Sequence, residues 1–223
     1  MFAGHIGAGL AIARAEPRLN VGLFVTAALL LDLVLWLLVL LGLERVSIPT
    51  NFASTHQPEF EFPYSHSLSG GLAWSGIAAA ACAAAFPHHR ALRGRIALLI
   101  TAAVFSHWLL DWLVHQPELP LAGSDSPKTG IGLWHNLPVA LSIETVMAVT
   151  GLIIFLGGRT LSRGRSIALS ILVVVLSIFT VAGMTLAPPP PSPQAMAGSS
   201  FVVLLLVCAL ALWLGRRSMQ PPP

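Results

Sequence analysis

His107, Asp111 and His115 follow one another at intervals of four in the run His107-Trp-Leu-Leu-Asp111-Trp-Leu-Val-His115. On a helix this spacing puts three polar side chains on one stripe roughly 80° wide, with rows about 6 Å apart, so two of them can reach a single metal ion. Neutral imidazole nitrogen combined with anionic carboxylate oxygen suits divalent zinc, manganese or iron. The plainer use of the triplet is hydrogen bonding, from Asp111 to a histidine or to a neighbouring helix. The stretch Pro63-Tyr64-Ser65-His66-Ser67 sets another histidine at the mouth of a helix, with Ser65 available as N-cap. Asp32 stands alone between Leu29-Leu30-Leu31 and Leu33-Val34-Leu35, and a carboxylate in so apolar a run must protonate or find a cation. Glu144 makes the same demand, with Ser142 and Thr145 as nearby hydrogen-bond partners. His5 lies in Ala3-Gly4-His5-Ile6-Gly7, among small residues that let helices pack closely. A bis-histidine haem site could use His5 and His107, but it would leave the carboxylates without a role.

The elements that must position these groups are written in the composition. The chain has 223 residues, 55% hydrophobic and 9% charged, with mean hydropathy +0.79, too few charges to cover a soluble globule of that size. Lipid is therefore the main solvent. The net charge of +3 is spread in small basic groups between apolar runs, which points to anionic headgroups and away from nucleic acid. Cys82 and Cys208 each sit inside an apolar run and imply no disulfide framework. Arg14 and Arg18 follow the first apolar stretch instead of preceding it, so that stretch reads as part of the mature protein and not as a cleaved signal.

A bilayer core of about 30 Å needs about 20 apolar residues in helix. Runs 20–43, 66–86, 96–116, 137–157 and 166–187 meet that length, and 200–215 makes a short final span stopping at Arg216-Arg217. Segment 2–13 would cover only about 18 Å, a tilted or half-inserted helix. No period-2 alternation is visible, which argues against a barrel. The fold class expected is all-α: a polytopic transmembrane bundle of six or seven hydrophobic helices in one membrane domain over 1–223, without an internal repeat. Numbering the loops alternately, Arg14, Arg18, Arg90, Arg93, Arg95, Arg159, Arg163, Arg165, Arg216 and Arg217 fall on one side, with Arg45 and Lys128 on the other. The first side is expected to be cytoplasmic, with the C-terminus there and loops 44–65, 117–136 and 188–199 outside. Counted from the outer helix ends at 1.5 Å per residue, His107 lies about 14 Å deep, Glu144 about 10 Å and Asp111 about 8 Å, with His66 and His115 at the boundary. Asp32 and His5 fall near mid-depth, so all seven occupy the outer half. His88 and His89, beside Arg90, read as solvated loop residues.

The order Gly4-His5, Leu31-Asp32-Leu33, Ser65-His66-Ser67 and His107-x3-Asp111 resembles a family of small bacterial proteins described as predicted membrane-bound metal-dependent hydrolases. The resemblance spans roughly residues 1–145 and implies a multi-helix membrane protein with a His/Asp metal site at His5, Asp32, His66, His107 and Asp111. A subgroup adds His115-x-Pro117-x-Leu119-Pro120-Leu121 and Gly130-x-Gly132-Leu133-Trp134, all found in this sequence. Two features differ. Leu31-Asp32-Leu33-Val34 stands where other members have Pro-Asp-x-Asp, and their His-Arg-Gly is replaced by Phe62-Pro63-Tyr64 ahead of Ser65. Two potential ligands of a binuclear centre are absent, and His115 and Glu144 could replace them if they point inward.

The expected function is hydrolysis of an ester or phosphoester in a membrane-associated, lipid-like substrate, at the outer face of a bacterial inner membrane. The ligands would be His5, His66, His107 and Asp111, with His115 as a further candidate. Asp32 would serve as a ligand or orienting group and Glu144 as proton shuttle. The rival readings are a proton or metal-ion carrier and a purely structural bundle. A carrier needs a polar path to both faces, yet 96–105 and 146–155 carry no ionisable residue.

Overall fold

The computed structural model describes residues 1–85 and 90–216. Within them the chain forms α1 (Phe2–Ala13), α2 (Val21–Ala28), α3 (Leu30–Leu40), the single turn α4 (Phe52–Thr55), α5 (Leu68–Ala85), α6 (Arg90–Val114), α7 (Leu137–Leu156), α8 (Arg163–Thr185) and α9 (Pro193–Leu214). Helices α5 to α9 are each long and apolar enough to cross a membrane, and α2 with α3 would make a sixth span. The fold is thus the expected all-α bundle, with the build of an integral membrane protein. Its outer faces are apolar: Ile171 and Ile178 of α8, for example, are 58% and 63% exposed.

The centre is held by α1, which at twelve residues is too short to cross a membrane upright. Eight of the twelve residues of α1 are buried, whereas α8 buries only four of twenty-three. Helix α1 lies against α7, α2 and α6. Its closest approach is at Gly7, which faces Gly151 of α7 so tightly that a Cβ on Gly151 would run into the Gly7 carbonyl. This is the small-residue packing that membrane helices use in place of a hydrophobic driving force. It fixes His5, two residues before Gly7, and Glu144, seven before Gly151, on facing surfaces.

The run 20–43 is not one continuous span. It breaks at Leu29, whose φ and ψ of −98° and 3° leave the helical region, and α2 and α3 meet at 51°. Asn20 caps α2 by accepting from the Gly22 amide at 2.8 Å and ties it to α9 by donating to the Leu212 carbonyl at 2.9 Å. Two other boundaries also differ from the sequence reading. Helix α9 begins at Pro193, seven residues before 200, because Ser192 caps it and proline suits the first helical position. Ser67, not Ser65, caps α5, accepting from the Gly70 amide at 2.9 Å.

Short strands occur where none were expected. β1 (Arg45–Ser47) pairs antiparallel with β2 (Glu59–Glu61), and β3 (Leu119–Pro120) with β4 (Lys128–Thr129). Both are loop clamps outside the helices. The loops 44–65, 117–136 and 186–192 meet at one end of the bundle, where His56 Nδ1 lies 3.0 Å from the Ala187 carbonyl and Gln57 donates to the Trp134 carbonyl at 3.3 Å. At the opposite end Arg18 and Arg95 both reach buried Glu16, at 2.6 and 3.5 Å, and Arg95 donates to the Ala15 carbonyl. The two groups of loops separate as the charge pattern anticipates. His88, His89 and Arg217 lie outside the described residues.

Candidate metal centre

Three helices and one helix entrance bring the polar groups together beneath the first set of loops. Helix α6 presents His107 and Asp111, α1 presents His5, the first turn of α3 presents Asp32, and His66 comes from the segment leading into α5. His5, His66, His107 and Asp111 are all buried, and Asp32 is partly so. His66 Nε2 is 3.2 Å from His107 Nε2, and each lies close to Asp111 Oδ2, at 3.3 and 3.2 Å respectively. These atoms form a nearly equilateral triangle. Asp32 Oδ1 stands off it, 3.7 Å from His66 Nε2 and 3.6 Å from His107 Nε2. The other Asp111 oxygen, Oδ1, is 3.1 Å from His5 Nε2 and 3.0 Å from the Met1 α-amino nitrogen.

The outward nitrogens decide what the inward ones can do. His107 Nδ1 is 2.7 Å from the Ala28 carbonyl, next to the break at Leu29. A carbonyl can only accept, so His107 carries its proton on Nδ1 and turns a lone pair inward when neutral. His66 Nδ1 lies 2.8 Å from Ser65 Oγ, whose hydroxyl donates to Glu44 Oε2 at 2.7 Å. That hydroxyl proton is committed to the carboxylate, so Ser65 accepts from His66 Nδ1, and His66 Nε2 is also a bare lone pair. Glu44 is itself buried and held by the Tyr64 and Ser65 amides, both 2.8 Å from its Oε1. Two imidazole lone pairs and a carboxylate oxygen therefore converge with acceptor facing acceptor, an arrangement that needs a cation or a proton among them.

The triangle is the right size for a metal. Ligands about 2.0–2.1 Å from a tetrahedral ion are roughly 3.3–3.4 Å apart. Second-sphere partners on the far nitrogen of each histidine are what metal sites commonly provide. Two overlapping groups have ligand atoms within 4.8 Å of one another among the described residues: His66, His107 and Asp111, and His5, Asp32 and His107. His5 stacks on His107 with ring centroids 3.6 Å apart and planes 8° from parallel, and its Nδ1 is buried with no hydrogen-bond partner.

Five of the seven residues singled out by sequence thus share one centre. His115 is at its rim: its Nε2 is 3.9 Å from Asp111 Oδ2, its Nδ1 is 2.5 Å from Glu118 Oε1, and Phe60, Phe62 and Trp134 surround its ring. Glu144 is buried on α7, but Ser142 and Thr145 donate to their own helix's carbonyls and not to it. It accepts instead from the Ala3 and Gly4 amides at 2.7 and 3.4 Å, capping the first turn of α1. Neither residue belongs to a ligand group. Glu44 was not anticipated: beside Arg45 at the end of an apolar run it reads as a headgroup-level charge, and only the structure brings it to Ser65.

A cavity of about 560 Å³ opens onto the centre. Asp32, His66, Asp111 and Glu144 line its polar end, and its remaining walls come mainly from α3, α8, α9 and the 52–62 loop. Compared with protein-family models, curated proteins and solved structures, the chain gives no match. Fold and centre define the chain as a helical membrane bundle with a buried His/Asp cluster able to hold a metal ion.

Proposed function

We propose that this protein is a membrane-embedded, metal-dependent hydrolase. It would hold one divalent ion, zinc in preference to manganese or iron, and cleave an ester or phosphoester of a membrane-associated substrate. The observation that carries this reading is the triangle of His66 Nε2, His107 Nε2 and Asp111 Oδ2, with edges of 3.2 to 3.3 Å and both imidazoles oriented through Nδ1. The motif resemblance to predicted membrane-bound metal-dependent hydrolases supports it. So does the cavity that reaches Asp32, Asp111 and His66 beside the 52–62 loop. The basic loops lie at the other end, and the positive-inside tendency makes that end, with the C-terminus, the cytoplasmic side of a bacterial inner membrane.

His66, His107 and Asp111 would hold the ion, with Asp32 as fourth ligand or as an acceptor for a proton of the attacking water. A divalent ion supplies Lewis acidity and makes hydroxide available near neutral pH. Asp111 is anchored through Oδ1 by His5, which leaves Oδ2 aimed at the histidines. In the overall reaction water adds across the ester, its oxygen joining the acyl carbon or phosphorus while the departing alkoxide leaves with a proton. Glu144 is a further carboxylate lining the cavity and would take up or supply that proton. Metal-replete purified protein should hydrolyse chromogenic acyl or phosphodiester substrates. Asp32→Asn should lower kcat by about 10²-fold or more, as loss of an acid–base group does. The competing reading, a proton-sharing cluster that only locks the helices together, fits the same distances and expects protein that neither binds metal nor turns over.

A further inference from the structure

The walls of the cavity identify the ligand more closely than its floor does. Away from the polar end it is lined by Phe179, Gly183 and Met184 of α8 and by Met196, Val203 and Leu204 of α9. Two of the hydroxyls here are used within their own helices, Thr180 donating to the Leu176 carbonyl at 2.9 Å and Ser199 to the Met196 carbonyl at 3.1 Å, while Ser200 and, on the loop side, His56 and Gln57 add polar groups to the lining. Along the apolar stretch formed by Phe179, Met184, Met196, Val203 and Leu204 a sugar or peptide would find little to bind, and water filling it would be unfavourable. The same two helices face outward with Ile178, 63% exposed, and Val202, 53% exposed, so lipid is the solvent on their other side at the same level. Two methionines give a surface that adapts to a flexible chain. The volume is in the range of small-molecule sites.

We propose that this cavity binds one hydrocarbon chain of a membrane amphiphile between α3, α8 and α9, with the ester or phosphoester that joins chain to headgroup at the His/Asp centre. The identity of the reacting group rests on the hydrolase reading above; the seat of the chain rests on the cavity alone. Gly183 is the lever for testing it. A Cβ there would meet nothing within 4 Å, so a larger side chain can grow into the cavity without displacing backbone.

The experiment uses the full chain in nanodiscs carrying a lysophospholipid with a diazirine in its acyl chain. Adducts are mapped by mass spectrometry after illumination, and bound metal is measured on the same samples. Adducts are expected on 179–184 and 196–204, with Gly183→Leu lowering them at least fivefold and leaving helicity and metal content unchanged. If Gly183→Leu does not fold, Met196→Trp fills the same space from α9 and carries the same expectation. Labelling confined to outward residues such as Ile178 and Val202, or undiminished in the filled variant, would overturn the chain site. Cavity labelling in protein that binds no metal would leave the chain site standing and remove the hydrolase reading. Metal binding without cavity labelling would do the reverse.

Discussion

His66 and His107 bring their Nε2 atoms to 3.2 Å of each other while each Nδ1 is held by a separate acceptor, Ser65 Oγ and the Ala28 carbonyl. Two neutral imidazoles oriented in this way would repel, and Asp111 Oδ2 adds a third acceptor to the same space. The arrangement calls for a cation or a proton among the three. The local backbone serves it as well: the break at Leu29 lies beside the carbonyl that orients His107, and α1 is drawn in by Gly7 and Gly151 so that His5 reaches Asp111.

The Ser65 and Glu44 pair should matter to metal affinity although neither is among the residues that would hold the ion. Ser65→Ala or Glu44→Gln removes the acceptor chain behind His66, and the typical loss for such second-sphere partners is about 10- to 100-fold in affinity. Competition with a chromophoric chelator reads this out, and Ser65→Thr, which keeps the hydroxyl, should restore binding. Unchanged affinity in both variants would show that His66 is oriented by other contacts, such as the Trp108 indole on its carbonyl at 3.0 Å.

The contact between α1 and α7 should be intolerant of size. Gly151→Leu drives a side chain into the Gly7 backbone, and a loss of stability of at least the ~1–3 kcal/mol typical of overpacking is expected. Because α1 carries His5, metal binding should weaken with it. Gly183→Ala, whose methyl group meets open space, serves as the control. Thermal unfolding in detergent that left Gly151→Leu level with the control would refute the tight interface.

Much of this was legible in the sequence, for identifiable reasons. Hydropathy alone marks the long helices because lipid demands about 20 apolar residues of each. His107 and Asp111 announced themselves through i, i+4 spacing, and Asp32 through its isolation in hydrocarbon. Other features have no local signature. Nothing in Leu29 itself marks a helix break; the bend accompanies contacts of α2 and α3 with α6 and α9 that are remote in sequence. Ser65 and Ser67 are equivalent as written, and only the path of the chain gives the cap to Ser67 and the relay to Ser65. Glu144 was identified as a buried carboxylate needing partners, but the partners are backbone amides of a helix 140 residues away in sequence, not the hydroxyls beside it.

Acid should loosen the opposite end of the bundle. Two hydrogen bonds from Arg18 to Glu16, 2.6 and 2.7 Å long, hold the Glu16 carboxyl below its usual range against the opposing effect of burial, with Arg95 adding to the depression. A depressed carboxyl contributes stability that is fully present above its unfolded value, about 4.3, and lost as pH falls through the lower folded value. Glu16→Gln should therefore be less stable than wild type at pH 7, with the difference shrinking below about pH 4.3. Unfolding midpoints measured across pH 3 to 7 that ran parallel for the two proteins would contradict this.

The central claim is tested most directly by counting metal. Detergent-purified protein, equilibrated with zinc and freed of excess, should hold close to a single ion per chain, with X-ray absorption reporting mixed nitrogen and oxygen ligation at about 2.0–2.1 Å. His107→Ala and Asp111→Asn should each abolish that binding while the helices remain folded. Wild-type protein that stays metal-free under these conditions, or variants that retain the ion, would contradict the account.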